Sequence, residues 1–374
     1  MKITLSTKPL VDALSLGIVN ANVSKFFQRS CMAGLTIDYD SKSLVVNLEA
    51  ASIYSKIFMQ GGVKVDELDS NNSASIYVDS LLLKQLVSTL DSPTVTLDIS
   101  NDGLRIISGK SKFTLPKMLD DVDLQLRSPD ESALQASGVD IDKTGWKYIK
   151  DYQMYAIAVS FIHPAFTKVW VGENGQVLVG DFDNSLFTYT NKGNLGQTCL
   201  LSDTIINLFN SLPDGAKLYR LGKHFVIHVK TDGYELISEF VPESDDVDDY
   251  HAEIILDMMR HDNGNAVKVN PAAMNKFLGQ ASLLSNSSED TIKMIVRCDS
   301  IRLHDSNSDC SVPIQGDHSN LEYEIDFKTD FLKSVISHYV DEDEMYVCPT
   351  IQEGEVVGAS FWNKELTTVL AGTD

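Results

Sequence analysis

Residues 75–115 read SIYVDSLLLKQLVSTLDSPTVTLDISNDGLRIISGKSKFTL. A short strand (SIYV) meets a polar cap at Asp79, an amphipathic helix runs through DSLLLKQLVSTL, and three alternating strands follow. In the last strand Ser111, Phe113 and Leu115 fall on one side, and Lys110, Lys112 and Thr114 on the other. Pro116 then stops the run, which suits a strand at a sheet edge, where a missing N–H does little harm.

The same unit recurs six times. The first copy runs KITLS, a helix with Pro9 in its first turn and Leu10, Val11, Leu14 and Ile18 on one face, then GLTIDY, SLVVNLEA and IYSKIFM. The third is GVDI, DKTGWKYIKDYQMYAIA, KVWVGE, QVLVGDF and LFTYT, and the fourth opens TCLL with SDTIINLFNSL as its helix. The fifth carries NPAAMNKFLGQASLL and the sixth FKTDFLKSVISHYV. With helix starts at Thr7, Asp79, Asp142, Ser202, Asn270 and Thr329, the spacings are 72, 63, 60, 68 and 59 residues. One such unit cannot bury its own apolar face, so units pair. The expected architecture is α+β, with three tandem domains of two β-α-β-β-β units each, at residues 1–122, 123–255 and 256–374. The acidic stretches 120–137 and 243–265 read as the linkers.

A chain of 374 residues exceeds what one core supports, which agrees with several domains. Five cysteines are scattered without CxxC spacing, and the histidines show no HExxH, so neither a disulfide framework nor a metal site is expected. No stretch nears the roughly 20 apolar residues of a spanning helix. The start MKITLSTKPLVDAL lacks the apolar run of a signal peptide, so a cytoplasmic protein without membrane contact is expected. A net charge of −22, if evenly spread, opposes wholesale binding to phosphate.

Catalytic patterns are also missing. There is no GxxxxGK[ST] loop, and GENGQVLVGDFDN does not fit GxGxxG. DDVDDYHAE (245–253) could suggest a two-metal nuclease, but consecutive acids scatter around the backbone, and a solvated charge run is the better reading. No enzyme and no cofactor are expected.

The order of the repeats, the length, and the runs KSKFTLPKM, NGQVLVGDFDN and ASLLSNSSED resemble the bacterial-type DNA polymerase sliding clamp, the β processivity factor family. The resemblance implies a head-to-tail homodimer closing a ring around double-stranded DNA, with helices lining the hole and sheets outside. It also implies a DNA polymerase tethered to the ring and a clamp loader that opens it. DNA-facing positions would be Lys8, Lys84, Lys143, Lys147, Lys150, Lys276 and Lys333 on helices, with Lys25, Gln28, Arg29, Phe166 and Lys168 in loops. The dimer seam would join Lys110, Lys112, Phe113 and Leu115 to Leu283 and Leu284. A partner-peptide pocket would be walled by Asp181, Phe182, Asn184, Leu186, Tyr250, Ile254, Val369, Leu370 and Ala371. Family members usually carry glycine-histidine-arginine-leucine where this chain has Asp183-Asn184-Ser185-Leu186, and end in methionine-proline-methionine-arginine-leucine where it ends VLAGTD. Such divergence implies a narrower, more acidic or partner-specific pocket. The rival reading is an acidic scaffold or DNA mimic that never encircles DNA.

Overall fold

The computed structural model describes residues 1–18, 32–50, 53–64, 72–118, 126–143, 146–147, 149, 167–181, 186–193, 195–243, 247–259, 265–284, 291–305, 308–315 and 322–373. Six units follow one another along the chain. The first holds β1 (Lys2–Ser6), α1 (Thr7–Gly17), β2 (Met32–Asp38), β3 (Ser43–Ala50) and β4 (Ile53–Gln60). After a short β5 (Gly62–Lys64), the second holds β6 (Ser73–Asp79), α2 (Ser80–Ser88), β7 (Thr94–Ser100), β8 (Gly103–Ser108) and β9 (Ser111–Leu115). The third has β10 (Val139–Asp140), helical backbone at Lys143, Trp146, Lys147 and Ile149, then β11 (Val169–Val171), β12 (Val177–Asp181) and β13 (Leu186–Thr190).

The fourth unit is β14 (Cys199–Leu201), α3 (Asp203–Ser211), β15 (Lys217–Leu221), β16 (His224–Lys230) and β17 (Glu235–Phe240). A further helix, α4 (Ala252–Met258), precedes the fifth unit of β18 (Val267–Val269), α5 (Pro271–Leu284), β19 (Thr291–Val296), β20 (Ser300–His304) and β21 (Asp309–Gln315). The sixth is β22 (Tyr323–Lys328), α6 (Thr329–Ser337), β23 (Met345–Gln352), β24 (Glu355–Trp362) and β25 (Leu366–Ala371). Helix starts agree with the sequence within a residue, and at two of them a side chain caps the first turn. Asp79 accepts the Leu82 N–H at 2.9 Å, and Asn270 accepts that of Ala272 at 2.9 Å.

Consecutive units exchange their first strands. β1 pairs with β7 of the second unit, and β6 of the second pairs with β2 of the first. The third and fourth units do the same through β10–β15 and β14–β11, and the fifth and sixth through β18–β23 and β22–β19. All pairings are antiparallel. Last strands then join different pairs of units: β4 meets β17, and β13 meets β25.

By packing, the chain forms two compact units, Met1–Ile141 with Thr204–Pro242, and Asp142–Asp203 with Glu243–Asp374. One holds a sheet ordered β5-β1-β7-β8-β9 and another ordered β10-β15-β16-β17-β4-β3-β2-β6. The other holds a sheet ordered β14-β11-β12-β13-β25-β24-β23-β18-β21-β20-β19-β22. In each, helices of the repeat units pack against the sheets. Leu10, Ala13 and Leu14 of α1 are fully buried, and a Cβ on Gly17 would meet Leu48 Cδ1 at 2.6 Å, so the end of α1 lies directly on the sheet. In the other unit Leu332, Val335 and Ile336 of α6 are buried, and Tyr339 donates its hydroxyl to the Phe361 carbonyl at 2.8 Å.

The sequence reading of 243–265 as a plain linker misses α4. Its buried residues Ala252, Ile255 and Met259 recur at helical spacing, but the preceding run of acids obscures the pattern. The antiparallel neighbour of β1 on its other side, β5, is also absent from the six-unit reading.

Candidate functional site

The face of the longest sheet opposite α6 carries an apolar cluster. Register places Leu200, Trp170, Leu178, Tyr189, Thr367, Trp362 and Tyr346 in one lateral row across seven strands, since directly opposed residues share a face. Phe187 and Val369 oppose each other on the same face, two residues along. Thr188 and Thr368 alternate to the helix side, where Thr368 Oγ1 lies 3.1 Å from the Tyr339 hydroxyl.

The segment Val247–Met259 covers one end of this row. Tyr250, Ala252, Ile255 and Met259 pack on Trp170, Leu178, Phe187, Leu200 and Val369. Tyr250 is fully buried, its hydroxyl donates to the Leu178 carbonyl at 3.3 Å, and burial pushes its pKa up. Phe187 lies over Gly180, where a Cβ would meet the ring at 2.3 Å, so only glycine leaves room there. His251 takes left-handed backbone at φ 50°, turning the one-turn helix Asp248–Tyr250 into α4. Farther along the row Tyr346 and Trp362 stack at 5.5 Å and 17°.

Two open cavities flank α4. One of about 720 Å³ is lined by Gln176, Tyr189, Leu256, Asp257, Met259 and Thr367. The other, about 710 Å³, is lined by Trp170, Thr198, Val247, Asp248, His251 and Ala252. Glu253 and Ile254 border both, so the outward side of α4 forms a ridge between two grooves.

The corresponding segment in the other compact unit is held by charge. Arg127–Gln135 lies on the helix-free face of β4, β17 and β16, over Glu239, whose side chain is fully buried. Glu239 accepts from Arg127 Nη2 at 2.7 Å and the Asp130 N–H at 2.7 Å, with His224 Nδ1 2.6 Å away. The Arg127 guanidinium lies 4.5 Å over the Tyr54 ring, and Ala133 packs on Val226 and Ile237. These contacts leave this segment pinned by directed bonds, while Val247–Met259 rests on apolar surface.

Of the expected pocket residues, the structure brings Tyr250 and Val369 together in the apolar cluster and sets Ile254, 62% exposed, on the ridge beside it. Leu186 and Leu370 oppose each other on the helix side of the sheet and are buried, so they back the site instead of lining it. Ala371 is half-buried at the end of β25. Phe182 and Asn184 lie outside the described residues, as does the Asp181 side chain. Sequence reasoning missed Trp170, Leu178, Phe187 and Leu200. The signal was present: VWV (169–171) and VLV (177–179) are unbroken apolar runs, as strands covered on both faces show.

Among the expected DNA-facing residues, Lys8, Lys147 and Lys276 are exposed on helical backbone and Lys143 is half-buried there. Lys84 is half-buried with Nζ 3.5 Å from the Ile18 carbonyl, and its pKa is lowered by desolvation. Lys333 donates to Ser282 Oγ at 2.8 Å, and Lys168 is ion-paired with Glu243. Lys25, Gln28, Arg29, Lys150 and Phe166 lie outside the described residues.

For the expected seam, β9 pairs with β8 alone among the described strands, and Lys110, Lys112 and Phe113 are exposed while Leu115 is buried against β8. Leu283 is 83% exposed at the end of α5, which continues through Leu284, whose side chain is outside the described set. Within DDVDDYHAE, Tyr250 is core, and no group of three or more His, Cys, Asp or Glu among the described residues is placed to hold a metal.

No protein-family model and no curated protein sequence matches the chain. Solved structures match it over its whole length. A DNA polymerase sliding clamp from Caulobacter crescentus superposes with a TM-score of 0.71 at 16% identity, covering 100% of both chains. A DNA polymerase III beta subunit from Thermotoga maritima gives 0.73 at 14%, covering 100% of this chain and 99% of that one. The Helicobacter pylori beta clamp bound to a DNA ligase peptide gives 0.71 at 14%, covering 100% of both. At such identities the likeness is one of fold, carried by packing and strand order more than by shared side chains. The chain has the fold of the bacterial DNA polymerase III beta sliding clamps.

Proposed function

We propose that this protein is a non-enzymatic DNA sliding clamp. Two copies close head to tail into a ring around duplex DNA and tether a DNA polymerase, and a clamp loader opens the ring for entry. The three domains are 1–122, 123–255 and 256–374, each made of two units, as the exchange of first strands supports.

The carrying observation is the pattern of last strands. β17 of the fourth unit pairs with β4 of the first, and β25 of the sixth pairs with β13 of the third. The rule then leaves β9 of the second unit and β21 of the fifth. β9 has an open edge among the described strands, and β21 meets β18 only at Ile314 and Gln315, leaving Asp309–Pro313 open on that side. Pairing β9 with β21 of a second copy continues the series and closes a ring, a heterologous contact that returns to its start after two subunits. Exposed Phe113 and Leu283 give that seam its apolar contact.

Such a ring holds DNA by topology, so tight phosphate contacts are unnecessary. Among the described residues its repeat helices carry Lys8, Lys84, Lys143, Lys147, Lys276 and Lys333 against Asp12, Asp203 and Asp330, a modest positive excess. That suits sliding, because each phosphate neutralised adds a salt-dependent grip. The acidic remainder of the chain would keep DNA off the outside. The apolar face around Val247–Met259 is the docking site for partner peptides. The test is solution mass together with retention on nicked circular DNA. A dimer retained on circles and released by linearisation supports the ring, whereas a monomer never retained would favour an acidic scaffold.

A further inference from the structure

The backbone of the two open edges restricts which residues can face each other. In antiparallel pairs, successive residues turn their N–H and C=O alternately to one neighbour and the other. The Asp305 N–H bonds the Ser308 carbonyl at 3.0 Å, and the Ile314 N–H bonds that of Asp299 at 3.1 Å. Ser308, Cys310, Val312 and Ile314 thus turn their groups to β20, which leaves those of Asp309, Ser311 and Pro313 on the open side. Pro313 has no N–H to offer there. On β9, Gly109 at φ 57° begins a two-residue turn, so the flanking Ser108 and Ser111 bond each other. The Leu115 carbonyl likewise faces β8, against the place a Cβ on Gly103 would take. Lys112 and Thr114 therefore present their groups outward, ahead of Pro116. Among the described strands none pairs with β9 on that side or with Asp309–Pro313.

We propose that β9 joins β21 of a second copy with Lys112 opposite Ser311 and Thr114 opposite Asp309. The pairing rests on the ring reading and adds its register. Both pairs are complete, each residue giving one N–H and accepting one, and the two prolines fall outside them. A shift of two residues one way would set Lys112 against Pro313 and Asp309 against Pro116, leaving a carbonyl bare on each strand. The opposite shift would keep only Lys112 with Asp309 inside both strands. Side-chain faces agree, because Phe113 and buried Leu115 share a face that continues onto Cys310 and buried Val312. Helix α5, with exposed Leu283 in its last turn, packs against β21.

The half-buried Cys310 makes the register testable in the full-length protein. Phe113 would oppose it with Cα atoms about 4.5 Å apart, within disulfide reach, whereas a residue two places off stands about 7–8 Å away. Ser111→Cys, Phe113→Cys and Leu115→Cys are each oxidised with diamide and run on non-reducing gels. Phe113→Cys is expected to form a covalent dimer about tenfold faster than the other two, and none once Cys310→Ser is added. Fastest linkage of Ser111→Cys or Leu115→Cys would keep the ring and overturn the register. Because Phe113→Cys also removes an apolar contact, Lys112→Cys/Ser311→Cys is tested with Cys310→Ser and should link where Thr114→Cys/Ser311→Cys does not. The reverse order would overturn the register as well. A wild-type dimer by sedimentation in which no pair links would overturn this pairing alone. A wild-type monomer with no linkage would overturn the ring and the register with it.

Discussion

The hydroxyl of Tyr250 donates to the main-chain carbonyl of Leu178 at 3.3 Å, so a residue from between two units closes onto a strand seventy-two positions earlier. The ring fills the centre of the apolar cluster, and the bond fixes its depth.

Truncating that ring should therefore cost far more than removing its hydroxyl. Tyr250→Ala is expected to lose about 3–5 kcal/mol, as for other large-to-small core changes. Tyr250→Phe should lose only about 1 kcal/mol, the net value of one hydrogen bond. Urea denaturation measures both, and near-equal losses would mean the ring is not the anchor.

Gly180 and Phe187 occupy one space between them. Gly180→Val should destabilise by about 1–3 kcal/mol through overpacking. Adding Phe187→Ala should recover part of that loss, because the ring is what the new side chain meets. Strictly additive effects of the two changes would contradict the packing.

Asp130 gives a pH signature. The Ser132 side chain and backbone N–H, with the nearby charges of His224 and Arg127, hold its carboxyl below the usual 3.8. A depressed folded-state pKa contributes stability that is complete above 3.8 and lost as pH falls through the folded value. Asp130→Asn should thus trail the wild type by a constant margin at neutral pH, and that margin should close below pH 3.8. Thermal melts across pH 2–7 check it, and a margin that widens in acid would reverse the assignment.

The seam is tested by charge. Phe113→Arg and Leu283→Arg alter exposed side chains, so each chain should fold normally. Each should be monomeric by sedimentation and unretained on circular DNA, because a buried unpaired cation is costly. Two folded dimers would place the closure surface elsewhere.

Much of this was legible in the chain. Helix starts followed from caps such as Asp79 and Asn270, and Pro116 marked KSKFTL as an edge strand. The docking face was less legible, for two reasons. Face assignment turns on parity, so a one-residue choice between Leu186 and Phe187 moves a side chain across the sheet. A helix of seven residues behind a run of acids also leaves too little periodicity to see. Glu239, a fully buried charge in β17, revealed nothing of its partners until Arg127 and Asp130 were brought to it.

The exchange of first strands also sets an order on synthesis. Ile3 waits for Leu97, its partner in β7, which emerges about 5–20 seconds later at typical elongation rates. Strand β4 waits longer, since Ile57 pairs with Leu236. Over that interval the nascent chain carries an unfinished sheet edge, and Lys56 in the middle of β4 places a charge where a neighbouring chain would otherwise join it.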